Sequence, residues 1–489
     1  MRKLPLIALC SLAGCSFAPD YQQPVTTIAP AYPSYEAKVP GENDGQTQES
    51  APLASTLAWR AFFLDPRLQV LIEAGLERNR DLAQAYARIE QARANFNIQD
   101  AQRLPQFEIG GTALRNRDPP LQFDPGQTRD PPATGVEYSE LGVYAGVSAF
   151  ELDLWGRVRN LAEAERERYL ASIEGAQAFR LSLVAQIAAT YFAIRSGEAR
   201  IELAEQSLAR RAEGVRIAKL RLDSGVTSTI DHDQAMLLLT QAETEIADIR
   251  RATEQASNLM EVLVGGPIDT PLPEGTDITK QLQPISAGLP SQLLENRPDI
   301  RMVEHNLRAA NANIGVAKAA FFPRISLTGI FGFASGQLDD LFDGDNRLWS
   351  VGSGGFVLPI FDWGRRSAGV RLSRARQEEL IANYQRTVQG AFQDVADALV
   401  ARQRLSEQIA AQTRTVEAQT RLARTANLRY SNGISIYLEV LDAERNQFSA
   451  SQQLIRLQAA EMQNAVSLYA ALGGGDLATP EAVAMEDAN

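Results

Sequence analysis

Two periodicities alternate along the chain. Four stretches of about ten residues switch between apolar or small side chains and polar ones at period two, as strands with two different faces do. In one of them Leu141, Val143, Ala145, Val147 and Ala149 fall on one face, against Gly142, Tyr144, Gly146 and Ser148 on the other. In another, Ile325, Leu327, Gly329, Phe331 and Phe333 oppose Arg324, Ser326, Thr328 and Gly332. The pattern predicts strands over 104–114, 138–152, 322–334 and 348–361, the last blurred by its glycines. Each is about the ten residues that a tilted strand needs to cross a bilayer core. The polar loops 116–135 and 335–347 lie at the same end of their hairpins. Alternation by itself fits a small soluble sheet with one wet face equally well. A closed barrel takes about eight strands, so a barrel here would need several chains.

The second pattern is helical. Residues 156–223 and 364–431 run without a proline, about 100 Å each at ~1.5 Å per residue. Ser224-Gly225 and Asn432-Gly433 break them, and return helices follow to 264 and 472. Shorter helices over 80–103 and 299–320, each added to a return helix, nearly match the length of a long one, which suggests two short helices stacked end to end beside it. Apolar stripes are thin, as in Val184, Ile187, Ala188, Tyr191 and Ile194. They suit coiled-coil-like packing with one face left wet. A solvated rod without a lumen has the same periodicity.

The two patterns recur at one offset. Trp155-Gly156-Arg157 returns as Trp363-Gly364-Arg365, Leu220-Arg221 with Gly225 as Leu428-Arg429 with Gly433, and Val264-Gly265-Gly266 as Leu472-Gly473-Gly474. The chain is a tandem duplication: a first repeat over 61–266 with its helical hairpin at 156–264, a segment over 267–295, a second repeat over 296–475 with its hairpin at 364–472, and an acidic tail over 476–489 expected to be flexible. Trp155, Gly156, Trp363 and Gly364 mark strand-to-helix hinges, their tryptophans suiting either an interfacial aromatic belt or junction packing.

Composition adds an address. Arg2 and Lys3 precede an apolar run that ends in Leu12-Ala13-Gly14-Cys15, the form of a bacterial lipoprotein signal over 1–14. Cleavage there would leave Cys15 to carry covalent lipid, followed by a Pro-, Gly- and Ser-rich extended segment over 15–60. Cys10 falls inside the signal, so the mature chain has no disulfide. The formal charge of −12, more acidic still once the signal leaves, argues against nucleic acid. No run of 18 apolar residues follows the signal.

Chemistry is sparse. Asp231-His232-Asp233 invites a metal reading, but zinc takes three or four converging ligands and consecutive helical residues do not face one way. Gly352-Ser353-Gly354-Gly355 has neither phosphate-loop nor nucleophile-elbow spacing. No catalytic, cofactor-binding or metal-binding constellation is found, and no cofactor is expected beyond the lipid on Cys15.

Against that background the sequence resembles the outer-membrane efflux protein family of TolC/OprM-like channels, in its lipoprotein (NodT-type) subgroup. The resemblance rests on the tetrad ending at Cys15, Asn296-Arg297-Pro298-Asp299-Ile300, Phe322-Pro323, Phe361-Asp362-Trp363-Gly364-Arg365, Leu428-Arg429-Tyr430 with Gly433, and Leu441-Asp442-Ala443-Glu444. It implies a mainly α fold with membrane β: a homotrimeric α/β-barrel channel with four transmembrane strands and long antiparallel helices per chain. It further implies a periplasmic adaptor, an inner-membrane pump commonly of the resistance-nodulation-division class, contact with outer-membrane lipid, and passage of drugs or other toxic small molecules. The periplasmic tips match Asp223-Ser224-Gly225 and Tyr430-Ser431-Asn432-Gly433. Many relatives gate with an acidic ring before the second tip, where this chain reads 421–430 without Asp or Glu. Gating would then fall to Arg424, Asn427 and Arg429, acting through hydrogen bonds or by pairing with Asp223, Asp231 or Asp233 on neighbouring helices. An exit duct for type I protein secretion and a periplasmic structural lipoprotein without a pore are the alternatives, the latter set apart by its independence of detergent.

Overall fold

The computed structural model describes residues 16–26, 29, 32, 52–118, 136–268, 282–286 and 293–475. The acylation candidate Cys15, the loop 119–135 and the tail lie outside them. In chain order the helices are α1 (Trp59–Phe62), α2 (Pro66–Arg78), α3 (Arg80–Ala101), α4 (Arg157–Asp223), α5 (Thr229–Val264), α6 (Leu293–Asn296), α7 (Pro298–Ala319), α8 (Arg365–Ser431) and α9 (Tyr437–Ala471). The strands are β1 (Phe107–Asp118), β2 (Val136–Glu151), β3 (Arg324–Ser335) and β4 (Arg347–Val357). The expected strand over 104–114 thus begins later and runs on into its loop, since Leu104-Pro105 belongs to the turn that ends α3. No described helix is long and apolar enough to cross a membrane.

Contacts divide the chain into two units. One holds 1–23, 90–170 and 304–382; the other holds 24–89, 171–303 and 383–489.

The first unit contains the sheet, antiparallel in the order β1-β2-β3-β4, which leaves β1 and β4 as edges. Register aligns side chains across all four strands. Ile109, Ala145, Phe331 and Trp349 form one row, with Phe107, Val147, Gly329 and Val351 beside it on the same face. The opposite face carries Gly110, Tyr144, Gly332 and Leu348, then Glu108, Gly146, Ile330 and Ser350. Glycine is needed at Gly332, where a Cβ would meet the Tyr144 Cα at 2.7 Å. In the first turns of α4 the same unit buries Glu167, whose Oε2 lies 2.6 Å from His305 Nδ1 on α7. Burial pushes this carboxyl up, but the His305 hydrogen bond and the charges of His305, Arg308 and Arg166 outweigh it and hold the group below the usual carboxylate range. A depressed folded pKa means that the pair's stabilisation is present above the ordinary carboxylate value and lost as pH falls through the folded one. Acidification should therefore destabilise the unaltered chain more steeply than a Glu167→Gln variant, which thermal melts across the acid range would read. Parallel pH profiles would remove Glu167 from the account.

The second unit holds the main core, where Phe62, Phe63, Tyr191, Phe192, Tyr384 and Tyr469 are all nearly inaccessible. Asp65 starts α2: it is fully buried, its Oδ1 accepts the Arg67 N–H at 2.9 Å, and Pro66 occupies the first helical position. Short helices do meet end to end here. At the end of α5, Gly265 (φ 91°) packs against the Arg78 carbonyl, too closely for any Cβ, while Asn79 Nδ2 donates to the Leu263 carbonyl at 2.9 Å and its Oδ1 caps α3 through Leu82 N–H. At the end of α9, Gly473 (φ 92°) packs against the Asn296 carbonyl, and Arg297 Nη1 donates to the Ala471 carbonyl at 3.1 Å. Each joint satisfies last-turn carbonyls that a free helix end would leave to water. Arg297 also chelates Asp299 and reaches Asp394, and these two carboxylates outweigh its burial and raise its pKa.

Candidate functional site: the hairpin tips and the sheet

The two hairpins turn in the same way. Gly225 (φ 71°) and Gly433 (φ 73°) adopt the left-handed conformation, and the Val226 and Ile434 N–H groups reach back to the Arg221 and Arg429 carbonyls at 2.9 Å. This is the six-to-one bond of a Schellman ending, which only a residue tolerant of positive φ permits. Ser224 and Asn432 add side-chain bonds to the Leu220 and Leu428 carbonyls, at 2.8 and 2.7 Å.

The first and second hairpins are tied by side chains that the sequence reading did not pair. The Arg221 guanidinium donates to the Tyr430 hydroxyl and stands 4.6 Å from the centre of its ring. Tyr430 packs on Tyr437, ring centres 5.0 Å apart, and the Tyr437 hydroxyl lies against Gly214, where a Cβ would collide with it. Burial, with Glu444 and Tyr430 nearby, pushes the Tyr437 hydroxyl up to about 12. One stretch further along, buried Arg211 donates to the Leu238 carbonyl at 2.9 Å and stacks over Phe448 at 5.3 Å. Beyond it, buried Gln452 accepts from Arg200 at 3.3 Å and donates to Glu245 at 2.7 Å.

Of the predicted gate residues, Asn427 donates to Glu444 at 3.1 Å and Arg429 lies 4.0 Å from Glu439, both acids on α9, while Arg424 is exposed. Their partners within the chain are therefore not Asp223, Asp231 or Asp233. Asp223 pairs with Lys219 at 3.5 Å, Asp231 accepts from the Thr227 hydroxyl, and Asp233 lies 3.4 Å from His232. Carboxylates absent from 421–430 are thus supplied across the turn. Glu439 and Glu444 both follow Gly433 on the return helix, the first place to look for acids that face the helix leading into the turn.

The hinge tryptophans part company. Trp155 donates its indole N–H to the Pro323 carbonyl at 2.9 Å and stacks on Phe322, itself stacked on Phe17 at 4.6 Å, so it is junction packing. Trp363 is 91% exposed, sits at φ 54° and meets Phe361 edge-to-face at 4.8 Å. Gly156 and Gly364, both at positive φ, admit the turn into α4 and α8.

The sheet's first face is apolar and open: Phe107, Ile109, Trp349 and Val351 are each more than 70% exposed. A four-stranded sheet with exposed rings on one face, glycines and polar groups with Ile330 and Leu348 on the other, two outer edges without a partner strand among the described residues and two long helical hairpins is an arrangement that known proteins share. The family model for "Outer membrane efflux protein" matches residues 71–266 and 289–474, one segment per repeat. The chain belongs to the outer membrane efflux protein family. It is 39% identical over 475 residues to the solvent efflux pump outer membrane protein SrpC of Pseudomonas putida, covering 97% of this chain and 98% of that one. To the cation efflux system protein CusC of Escherichia coli K12 it is 35% identical over 479 residues, 96% of this chain and 99% of that one. Among solved structures, the open state of the Neisseria gonorrhoeae MtrE outer membrane channel superposes with a TM-score of 0.83 at 36% identity, covering 94% of this chain and 98% of that one. As an outer membrane efflux protein, the chain is a transport conduit of the outer membrane and not an enzyme. An exposed apolar face of this kind is what the wall of a membrane barrel presents to lipid.

Proposed function

We propose that the protein is the passive exit duct of a tripartite efflux system, working as a homotrimer. Four strands with the outer edges of β1 and β4 free of any partner strand among the described residues are the observation that carries this reading: an open sheet leaves its edge hydrogen bonds unmet in hydrocarbon, and three copies joined edge to edge make a twelve-stranded closed barrel. The glycine-rich face, with Tyr144, Glu108 and Ser350, then lines water. Cys15 carries the covalent lipid anchor. The helical tips meet a periplasmic adaptor and, through it, an inner-membrane pump of the resistance-nodulation-division class. Cargo is a small toxic organic compound; relatives named for solvent efflux support that choice. Gating is a shift between two arrangements of the hairpins, biased by adaptor binding. At rest the tips are held by Arg221 and Tyr430 between hairpins and by the pairs of Asn427 and Arg429 within the second, with Arg424, Asp223, Ser224, Gly225, Asn432 and Gly433 forming the rim.

Planar-bilayer recording of the detergent-extracted protein tests this. Discrete conductance steps are expected, small while the tips are shut. No step from the unaltered chain, and none after Arg424, Asn427 and Arg429 are all replaced by alanine, would overturn it.

A further inference from the structure

The connection between β3 and β4, residues 336–346, presents apolar side chains in a way that a soluble loop has no use for. Leu338 is 72% exposed and Phe342 69%, while Leu341 between them is buried to 4% and holds the loop down. The loop is built by its own hydrogen bonds: Asp343 N–H to the Asp340 carbonyl at 3.0 Å, Asn346 Nδ2 to the same carbonyl at 2.7 Å, and Asn346 N–H to the Asp343 carbonyl at 3.0 Å. Leu338 and Phe342 are thus displayed by a defined turn structure. Their side of the sheet is equally defined. Phe342 meets Phe333 edge-to-face at 5.6 Å, and Phe333 meets Phe331 at 6.4 Å. Phe331 lies in register with Trp349 in the exposed apolar row. The loop therefore continues the lipid-facing surface past the ends of the strands, at the end of the sheet away from the helices that β2 and β4 lead into.

We propose that this loop is a membrane-interface anchor whose occupant is the lipid of the outer leaflet, with Leu338 and Phe342 inserted at the headgroup and acyl boundary. Depth follows from charge. Asp339, Asp340, Asp343 and Asp345 share the loop, and carboxylates are too costly to place in hydrocarbon, whereas an aromatic ring and a leucine flanked by charges suit the interface. The row Phe331, Phe333, Trp349 and Phe342 is then the outer aromatic girdle, and the exposed pair Phe361 and Trp363 belongs to the inner one. The inference rests on the sheet being a membrane wall.

The test is site-directed spin labelling of the full chain in vesicles of phosphatidylethanolamine and phosphatidylglycerol. Single cysteines replace Leu338, Phe342, Asp345 and Val351 in turn, and the unsubstituted chain serves as the blank. Collision with oxygen, which partitions into lipid, is compared with collision with a water-soluble nickel chelate. Labels at 338 and 342 should favour oxygen severalfold over the label at 345 and fall short of the label at 351 in mid-strand. Labels at 338 and 342 as open to nickel as that at 345 would overturn the anchor while leaving the membrane sheet intact. Labels closed to both reagents would also overturn it, placing a neighbouring copy there instead. A label at 351 that favours nickel would overturn the membrane sheet itself.

Discussion

Replacing Arg221 with alanine is expected to raise the open probability of the channel in planar bilayers by about a hundredfold, the largest functional effect of any single substitution at the tips. The change removes a charged hydrogen bond to Tyr430 and the cation–π contact 4.6 Å from its ring. Hydrogen bonds to charged groups are worth about 1.5–3 kcal/mol and exposed cation–π contacts about 0.5–1 kcal/mol. Both partners are half-exposed, which leaves about 1 kcal/mol per chain after screening. Three chains of the proposed trimer add to about 3 kcal/mol, or two factors of about ten in the equilibrium between shut and open tips. Tyr430→Phe keeps the ring stacked on Tyr437 and loses only the hydroxyl, so about a tenfold increase is expected of it. Arg429→Ala is the contrast: its ion pair with Glu439 is exposed and spans 4.0 Å, and little change should follow. An Arg221→Ala channel no more active than the unaltered one would show that the contact packs the hairpins without gating them.

The largest effect on stability is expected from Asp65→Ala. Asp65 is fully buried, caps α2 with one oxygen and accepts the Tyr191 hydroxyl at 2.7 Å with the other. Burial, together with the neighbouring Asp65 carboxylate, pushes the Tyr191 hydroxyl well above its ordinary range, so it stays a proton donor at any working pH. Alanine removes the cap, at about 0.5–2 kcal/mol, and strands a buried hydroxyl, at about 1–3 kcal/mol. A loss of about 3 kcal/mol per chain should appear as a lowered midpoint in thermal or urea unfolding followed by helical circular dichroism. Asn at the same position has one carbonyl oxygen to accept from both the Arg67 N–H and the Tyr191 hydroxyl, so an intermediate loss is expected. Adding Tyr191→Phe to Asp65→Ala should recover part of the loss, because the orphaned hydroxyl goes with it. Additive losses would mean that the two residues act independently.

Much of this architecture was legible in one sequence because its signals are local. Gly225 and Gly433 announce the tips, since an L side chain resists the left-handed turn that a Schellman ending requires. The alternation around Val143 and Phe331 marks two faces, and the absence of proline over 157–223 marks one uninterrupted helix. The gate was legible only in part. Arg429 and Asn427 stand out beside the second tip, but the acids they meet, Glu439 and Glu444, lie on α9 across the turn. Arg221 is marked by the repeated Leu-Arg before each tip, but nothing local points to its partner Tyr430, since a basic residue in the last turn of a helix is ordinary.

The sequence by itself determined the order of the long helices and strands, the duplication, the two faces of the strands around Val143 and Phe331 and the family, because each is written in periodicity, in glycine positions or in motif spacing within a few turns of chain. Only the tertiary structure decided that Trp155 is packed at a junction while its repeat partner Trp363 is open, that Asn79 and Arg297 close the joints between stacked helices, and that Phe342 extends the apolar face. The reason is separation along the chain. Asn79 meets Leu263, Arg297 meets Ala471 and Arg221 meets Tyr430, and contacts between residues so far apart leave no trace in local composition until the backbone has brought them together.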